Sequence, residues 1–207
     1  MIAFYLSGYN YKETPVQLSL PFKSGIYEVF FGGNGESNPK MNYHFTFKPF
    51  INAGVNVSMK YATDITKLNM LGRDRYGMSP KQLEKFEIYG EKLYSPCDGE
   101  IVDVQSGWKD QKIGDKDFPF TTGNTIIIKM NNAYVLLGHL KDDSIIVKVG
   151  DKVNQGQQLA EIVSSGLSGG IPHLHMQAMK EPYWGAEGLP IAFDGKIPIK
   201  FSIFINW

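Results

Sequence analysis

The sequence predicts a mainly β protein of antiparallel strands and hairpins with one short helix, on three observations. Aromatic residues make up 13% of the 207 residues and 22 are glycine, a balance that suits short strands and tight turns better than a helical bundle. From Leu93 onward, short aliphatic runs follow in quick succession, with Gly, Asp and Asn at the breaks. Several runs alternate with period two, as in HLHMQAM, where His173, His175 and Gln177 share one face while Leu174, Met176 and Ala178 share the other.

In chain order, Met1 to Phe50 reads as aromatic and β-like, with the turn run GGNGESNP (Gly32 to Pro39) separating two strands. In the second, MNYHFTF, residues Met41, Tyr43, Phe45 and Phe47 form an apolar face, so His44 is expected to point away from it. KYATDIT (Lys60 to Thr66) reads as a further strand with Lys60, Ala62 and Asp64 on a shared face. Asn69 to Lys85 reads as a loop, a lid or a connector, carrying the short helix: Ser79 suits an N-cap and Pro80 the first helical position. The strands EIVDVQ, NTIIIKM, AYVLLGHL, SIIVKVG, QQLAEIV and HLHMQAM then build an antiparallel body. PCDGEIVDV and VGDKVNQGQQLAEIV look alike as turn-then-strand units, a hint of duplication. The aromatic tail GLPIAFDGKIPIKFSIFINW is expected to pack on the body. The expected organisation is an N-terminal β region and loop (1–88), a core (89–180) and a C-terminal packing tail (181–207), together one structural domain.

Charge narrows the function. Lys+Arg and Asp+Glu both number 21, so no net field draws the chain to nucleic acid or an anionic membrane. No stretch reads as a transmembrane segment or an export signal. The single Cys97, in a Pro-Cys-Asp-Gly turn, excludes an internal disulfide and multi-cysteine metal sites, and reads as structural filler. A metal would have to be held by histidine and carboxylate.

Three of four histidines fall in the last β region: His139 at the end of AYVLLGHL, on the face of Val135 and Leu137, then His173 and His175 in PHLHMQ. Paired imidazoles on one strand face suit zinc ligation or proton transfer, whereas the plain alternative is a polar face with two surface histidines. Asp64 is the candidate carboxylate, and a solvated or turn-capping aspartate is its plain alternative.

In combination, GHL, then VGDKVNQGQQLAEI, then a glycine-serine loop and PHLH resemble the lysostaphin and LytM-like zinc endopeptidases over roughly Tyr89 to Met179. YSPCDGEIVDV resembles that family's hairpin before the central strands, and FFGGNG with NYH, KYATD and EGLPIAF resemble one branch of it. The resemblance implies a fold of the duplicated hybrid motif type and hydrolysis of peptide crosslinks in bacterial cell-wall peptidoglycan by a zinc-bound water. It also implies a location in the cell envelope or outside the cell. Carried over residue by residue, it implies Asp64 and His175 as zinc ligands, with His139 and His173 as unligated histidines that assist the water and the developing oxyanion. The family's first ligand stands four residues before the aspartate, where this chain has Lys60, a cation with no lone pair to offer. The branch with a histidine upstream of its YAxD segment implies that His44 takes that place from a neighbouring strand. Should His44 fall short, the domain is a degenerate, metal-free relative that binds peptides or regulates a partner. A carrier-like role is weaker, because Lys152 sits inside a turn-to-strand run rather than at an exposed hairpin tip.

Overall fold

The computed structural model describes residues 7–114 and 122–206; the parts of the first β region and of the tail that fall on 1–6 and 207 lie outside them. Thirteen strands are found among the described residues: β1 (Val16–Leu18), β2 (Gly25–Phe31), β3 (Thr63–Leu68), β4 (Lys92–Tyr94), β5 (Gly99–Gln105), β6 (Asn124–Met130), β7 (Ala133–Leu140), β8 (Lys152–Val153), β9 (Gln158–Glu161), β10 (Leu174–Met179), β11 (Gly188–Leu189), β12 (Ile191–Phe193) and β13 (Ile203–Asn206). The main sheet runs β13-β2-β3-β10-β7-β6-β5-β8, with β11 also paired to β10, and its ladders are antiparallel. Two small sheets flank it, an antiparallel β4-β9 pair and a parallel β1-β12 pair. No helix among the described residues is long and apolar enough to cross a membrane.

Period-two alternation divides the main sheet into two buried faces. Tyr27, Val29, Ile65, Ile126, Ile128, Val135, Leu137, Leu174 and Met176 point into the larger core, which the tail completes with Ile191 and Phe193. On the other face Ile127, Leu136 and Met179 pack against Ala186. Every residue of β10 is buried, so its histidines do not lie on a solvated face.

Four local expectations are corrected. MNYHFTF is not a strand: the turn after β2 leads into a single 3-10 turn at Tyr43–Phe45 and then helix α1 (Lys48–Asn52). Asn42 accepts a hydrogen bond from the His44 backbone N–H, a local bond that competes with a sheet ladder, and Pro49 in the first turn of α1 favours the helix. The short helix therefore precedes β3, and at Ser79 there is only loop followed by a 3-10 turn at Leu83–Lys85. One turn without a packed apolar face does not sustain an α-helix. SIIVKVG is not a strand either, since Ile146 makes one bridging bond to Leu159 O and both Ile146 and Val149 are exposed. Only Lys152–Val153 joins the sheet there. Finally β3 begins at Thr63, which leaves Lys60 outside the strand.

Gly123 sits where β6 meets the Ser165 loop. Its φ is +69°, and a Cβ there would stand 2.4 Å from the carbonyl carbon of Ser165. Gly123→Ala should therefore cost about 2 kcal/mol or more of unfolding free energy, from left-handed strain plus overpacking. Urea unfolding measures it, and an unchanged midpoint would show that the loop yields freely.

Candidate metal centre and active site

The site is built on the second face of the sheet, where β3, β10 and β7 lie side by side. Register places Asp64 of β3 directly opposite His175 of β10, so their side chains share a face. His175 also pairs with Gly138 of β7. Strict alternation would then send His139 into the core with Val135 and Leu137, and the structure corrects that expectation. Between the pairs Asn124↔Leu140 and Ile126↔Leu137, β7 carries one residue more than β6, and His139 adopts a φ of +63°. This bulge resets the alternation. Leu140 returns to the core while the His139 ring stands 4.5 Å from that of His173.

The 3-10 turn before α1 delivers the fourth imidazole. His44 is buried, only 3% exposed, rather than turned from the apolar side as expected. Its ring stacks on Tyr43 and lies flat against Phe50, and its Nε2 is 3.1 Å from Asp64 Oδ2. On the other side His175 Nδ1 is 2.9 Å from Asp64 Oδ1. One ligand atom each from His44, Asp64 and His175 lies within 4.8 Å of the others. His173 stands beside them, its Nε2 3.7 Å from Asp64.

Hydrogen bonds on the far side of each ring orient these histidines. Asn42 Nδ2 is shared among the carbonyls of Gly33, Lys60 and Ala62, which leaves its Oδ1 to accept from His44 Nδ1–H at 2.7 Å. Gln177 Oε1 lies 2.9 Å from His175 Nε2. His139 Nδ1–H donates to Ser165 O at 2.6 Å, and His173 Nδ1–H donates to Ile171 O at 2.8 Å. With the outer nitrogens committed, the inner nitrogens of His44 and His175 turn lone pairs toward a carboxylate that can only accept. Such an array repels itself unless a proton or a cation lies among the three groups, and outer acceptors of this kind are what metal-bound histidines use.

Burial alone would raise the Asp64 carboxyl, but the imidazoles of His44, His173 and His175 around it hold it well below the usual carboxylate range. Burial, reinforced by His173 and His175, pushes His139 well below its ordinary value. Burial also lowers His173, against the pull of Asp64. Asp64 is thus ionised, and His139 and His173 are neutral bases with Nε2 turned inward.

The cluster opens into a cavity of about 320 Å³ walled by Phe50, Ala53, Val55, Met59, Leu167 and Trp184. The segment from α1 to Met59 supplies most of this wall. Residues 69–85 supply none of it among the described residues. Lys60 faces elsewhere, with its ammonium paired to Glu36 and lying 5.2 Å over the Tyr61 ring. Cys97 is buried and its thiol is pushed up to about 12, chiefly by burial. Sequence reasoning missed Asn42 and Gln177 as orienting residues, although each lies two positions from a histidine it holds.

The profile of peptidase family M23 matches residues 84–187, half of the chain, and the chain belongs to that family. Among solved structures it is similar to Csd3 of Helicobacter pylori, at 16% identity and a TM-score of 0.44 over 92% of this chain and 35% of that one. It is similar to the catalytic domain of the antimicrobial peptidase lysostaphin from Staphylococcus simulans, at 26% identity and a TM-score of 0.36 over 55% of this chain and 83% of that one. It is also similar to the catalytic domain of the prophage-encoded M23 protein EnpA from Enterococcus faecalis, at 25% identity and a TM-score of 0.35, over 56% of this chain and 85% of that one. The chain spans about a third of the length of Csd3.

Asn42 is fully buried and joins three backbone carbonyls to His44. Asn42→Ala should lower unfolding free energy by at least about 2 kcal/mol, because buried acceptors and an imidazole N–H lose their partner. Calorimetry or urea unfolding checks this, and a neutral result would mean that water replaces the amide.

Proposed function

We propose that this chain is a zinc-dependent endopeptidase that hydrolyses peptide crosslinks of bacterial cell-wall peptidoglycan, in the cell envelope or outside the cell. The observation that carries the reading is the convergence of His44, Asp64 and His175 within 4.8 Å, with the outer nitrogen of each imidazole held by a side-chain oxygen. Family membership supports it. Two imidazoles and a carboxylate fit zinc, and three protein ligands leave a coordination position open. When bound, zinc supplies a nucleophilic water whose pKa is brought to about 7 and polarises the scissile carbonyl.

The remaining chemistry belongs to this chain's own side chains. Neutral His139 and His173 are placed to take a proton from the attacking water at Nε2 and, once protonated, to donate to oxygen as negative charge builds on it. Their Nδ1–H bonds to Ser165 O and Ile171 O keep the rings from turning away. The largely apolar wall lowers the local polarity and so strengthens each of these contacts. Apart from Asp64 and the histidines, no charged side chain lines the cavity among the described residues, which suits an uncharged stretch of peptide.

Untreated protein should carry about one zinc per chain, and chelation should both abolish cleavage of purified peptidoglycan and lower thermal stability. His44→Ala should lose most of the metal, whereas His139→Ala and His173→Ala should retain it and lower kcat by about 10²-fold or more. Full zinc occupancy in His44→Ala would remove that residue from the ligand set. A protein that purifies without metal and ignores chelator would instead be the metal-free binding module.

A further inference from the structure

Two buried hydroxyls have no hydrogen-bond partner among the described residues, Thr63 Oγ1 and Thr122 Oγ1. Thr63 alternates with Asp64 along β3 and does not line the cavity, whereas Thr122 does. An unpaired buried hydroxyl costs stability, so its persistence in a functional cavity calls for a reason.

The surroundings of Thr122 are built to hold it there. Its carbonyl accepts the His139 backbone N–H at 2.8 Å, which ties it to the bulge that aims that imidazole. Its side chain occupies the space over Gly138, where an added Cβ would stand 3.0 Å from Thr122 Cβ. Gly138 is in turn the cross-strand neighbour of His175. The missing side chain at 138 therefore makes room for Thr122 on the site face, next to His139. Gln105, another neutral polar residue on the wall, already donates to Asp103.

We propose that Thr122 Oγ1 is a substrate-contacting hydroxyl that hydrogen-bonds the backbone amide of the bound peptide on the His139 side of the cavity. The inference rests on the peptidase reading above. A peptide entering this mostly apolar cavity loses water from its amide groups and needs replacement partners. A threonine hydroxyl can donate to a carbonyl or accept from an N–H, so it serves either group of a peptide bond. The substrate then completes the hydrogen bond that the free protein lacks.

The test compares wild type, Thr122→Val and Thr122→Ser as full chains with measured zinc content, using purified peptidoglycan and a soluble crosslinked peptide released from it. Thr122→Val deletes the hydroxyl at nearly constant shape and should lower kcat/KM by about 10-fold, while Thr122→Ser stays within about threefold of wild type. Zinc content should hold in both variants, and the urea midpoint of Thr122→Val should be unchanged or higher. A purely structural hydroxyl predicts the opposite sign for that midpoint, so a clear loss of stability or a failure to fold overturns the proposal. Equal cleavage by wild type and Thr122→Val overturns it while leaving the peptidase reading intact. Zinc-loaded wild type that cuts neither substrate removes the peptidase reading and this contact together.

Discussion

The pairing of Asp64 with His175 across β3 and β10 is the constraint on which the site depends. A slip of one residue in that register would send Asp64 into the aliphatic core in the place of Ile65 and away from His175. Burying an ionised carboxylate is costly unless it is paired and hydrogen-bonded. Here three imidazoles surround it, from a turn, a loop end and a strand, so that a proton or cation held among them meets that cost. The aliphatic alternation on the reverse face, Leu174 and Met176 against Ile65, holds the register that the polar face requires.

A second layer gives the cluster its direction. His139 would point into the core without the β7 bulge, and its left-handed backbone is kept by bonds to Thr122 on one side and Ser165 on the other. Asn42 does the same for His44 through contacts with backbone at 33, 60 and 62. Fixing the outer nitrogen of each ring selects which nitrogen looks inward. The electrostatic consequence is one ionised acceptor amid inward-facing nitrogens, with His139 and His173 uncharged, in a cavity whose walls are otherwise uncharged and mostly apolar.

The site was legible in parts, and the parts differ for physical reasons. His173 and His175 could be assigned a common face because HLHMQAM alternates without interruption and forms a regular strand. The GHL segment could not be read the same way, since a bulge breaks period two without any glycine at the bulged position itself. His44 was the hardest. MNYHFTF alternates like a strand, yet Asn42 and Pro49 turn it into a 3-10 turn and a helix, because local side-chain bonds outcompeted a sheet ladder. Lys60, the apparent obstacle at a ligand position, ends before β3 begins and is drawn outward by Glu36.

By itself the sequence determined the β class, the two faces of the central strands and the small set of side chains able to do chemistry, because alternation and residue type are properties of a short stretch of chain. Only the tertiary structure decided that His44 meets an aspartate 20 positions later and a histidine 131 positions later, and that Lys60 does not. It also decided which ring nitrogen faces inward and that Thr122 is left without a partner. Those outcomes depend on strand register, on one extra residue in β7 and on acceptor carbonyls in distant loops, and no local pattern encodes contacts between segments so far apart.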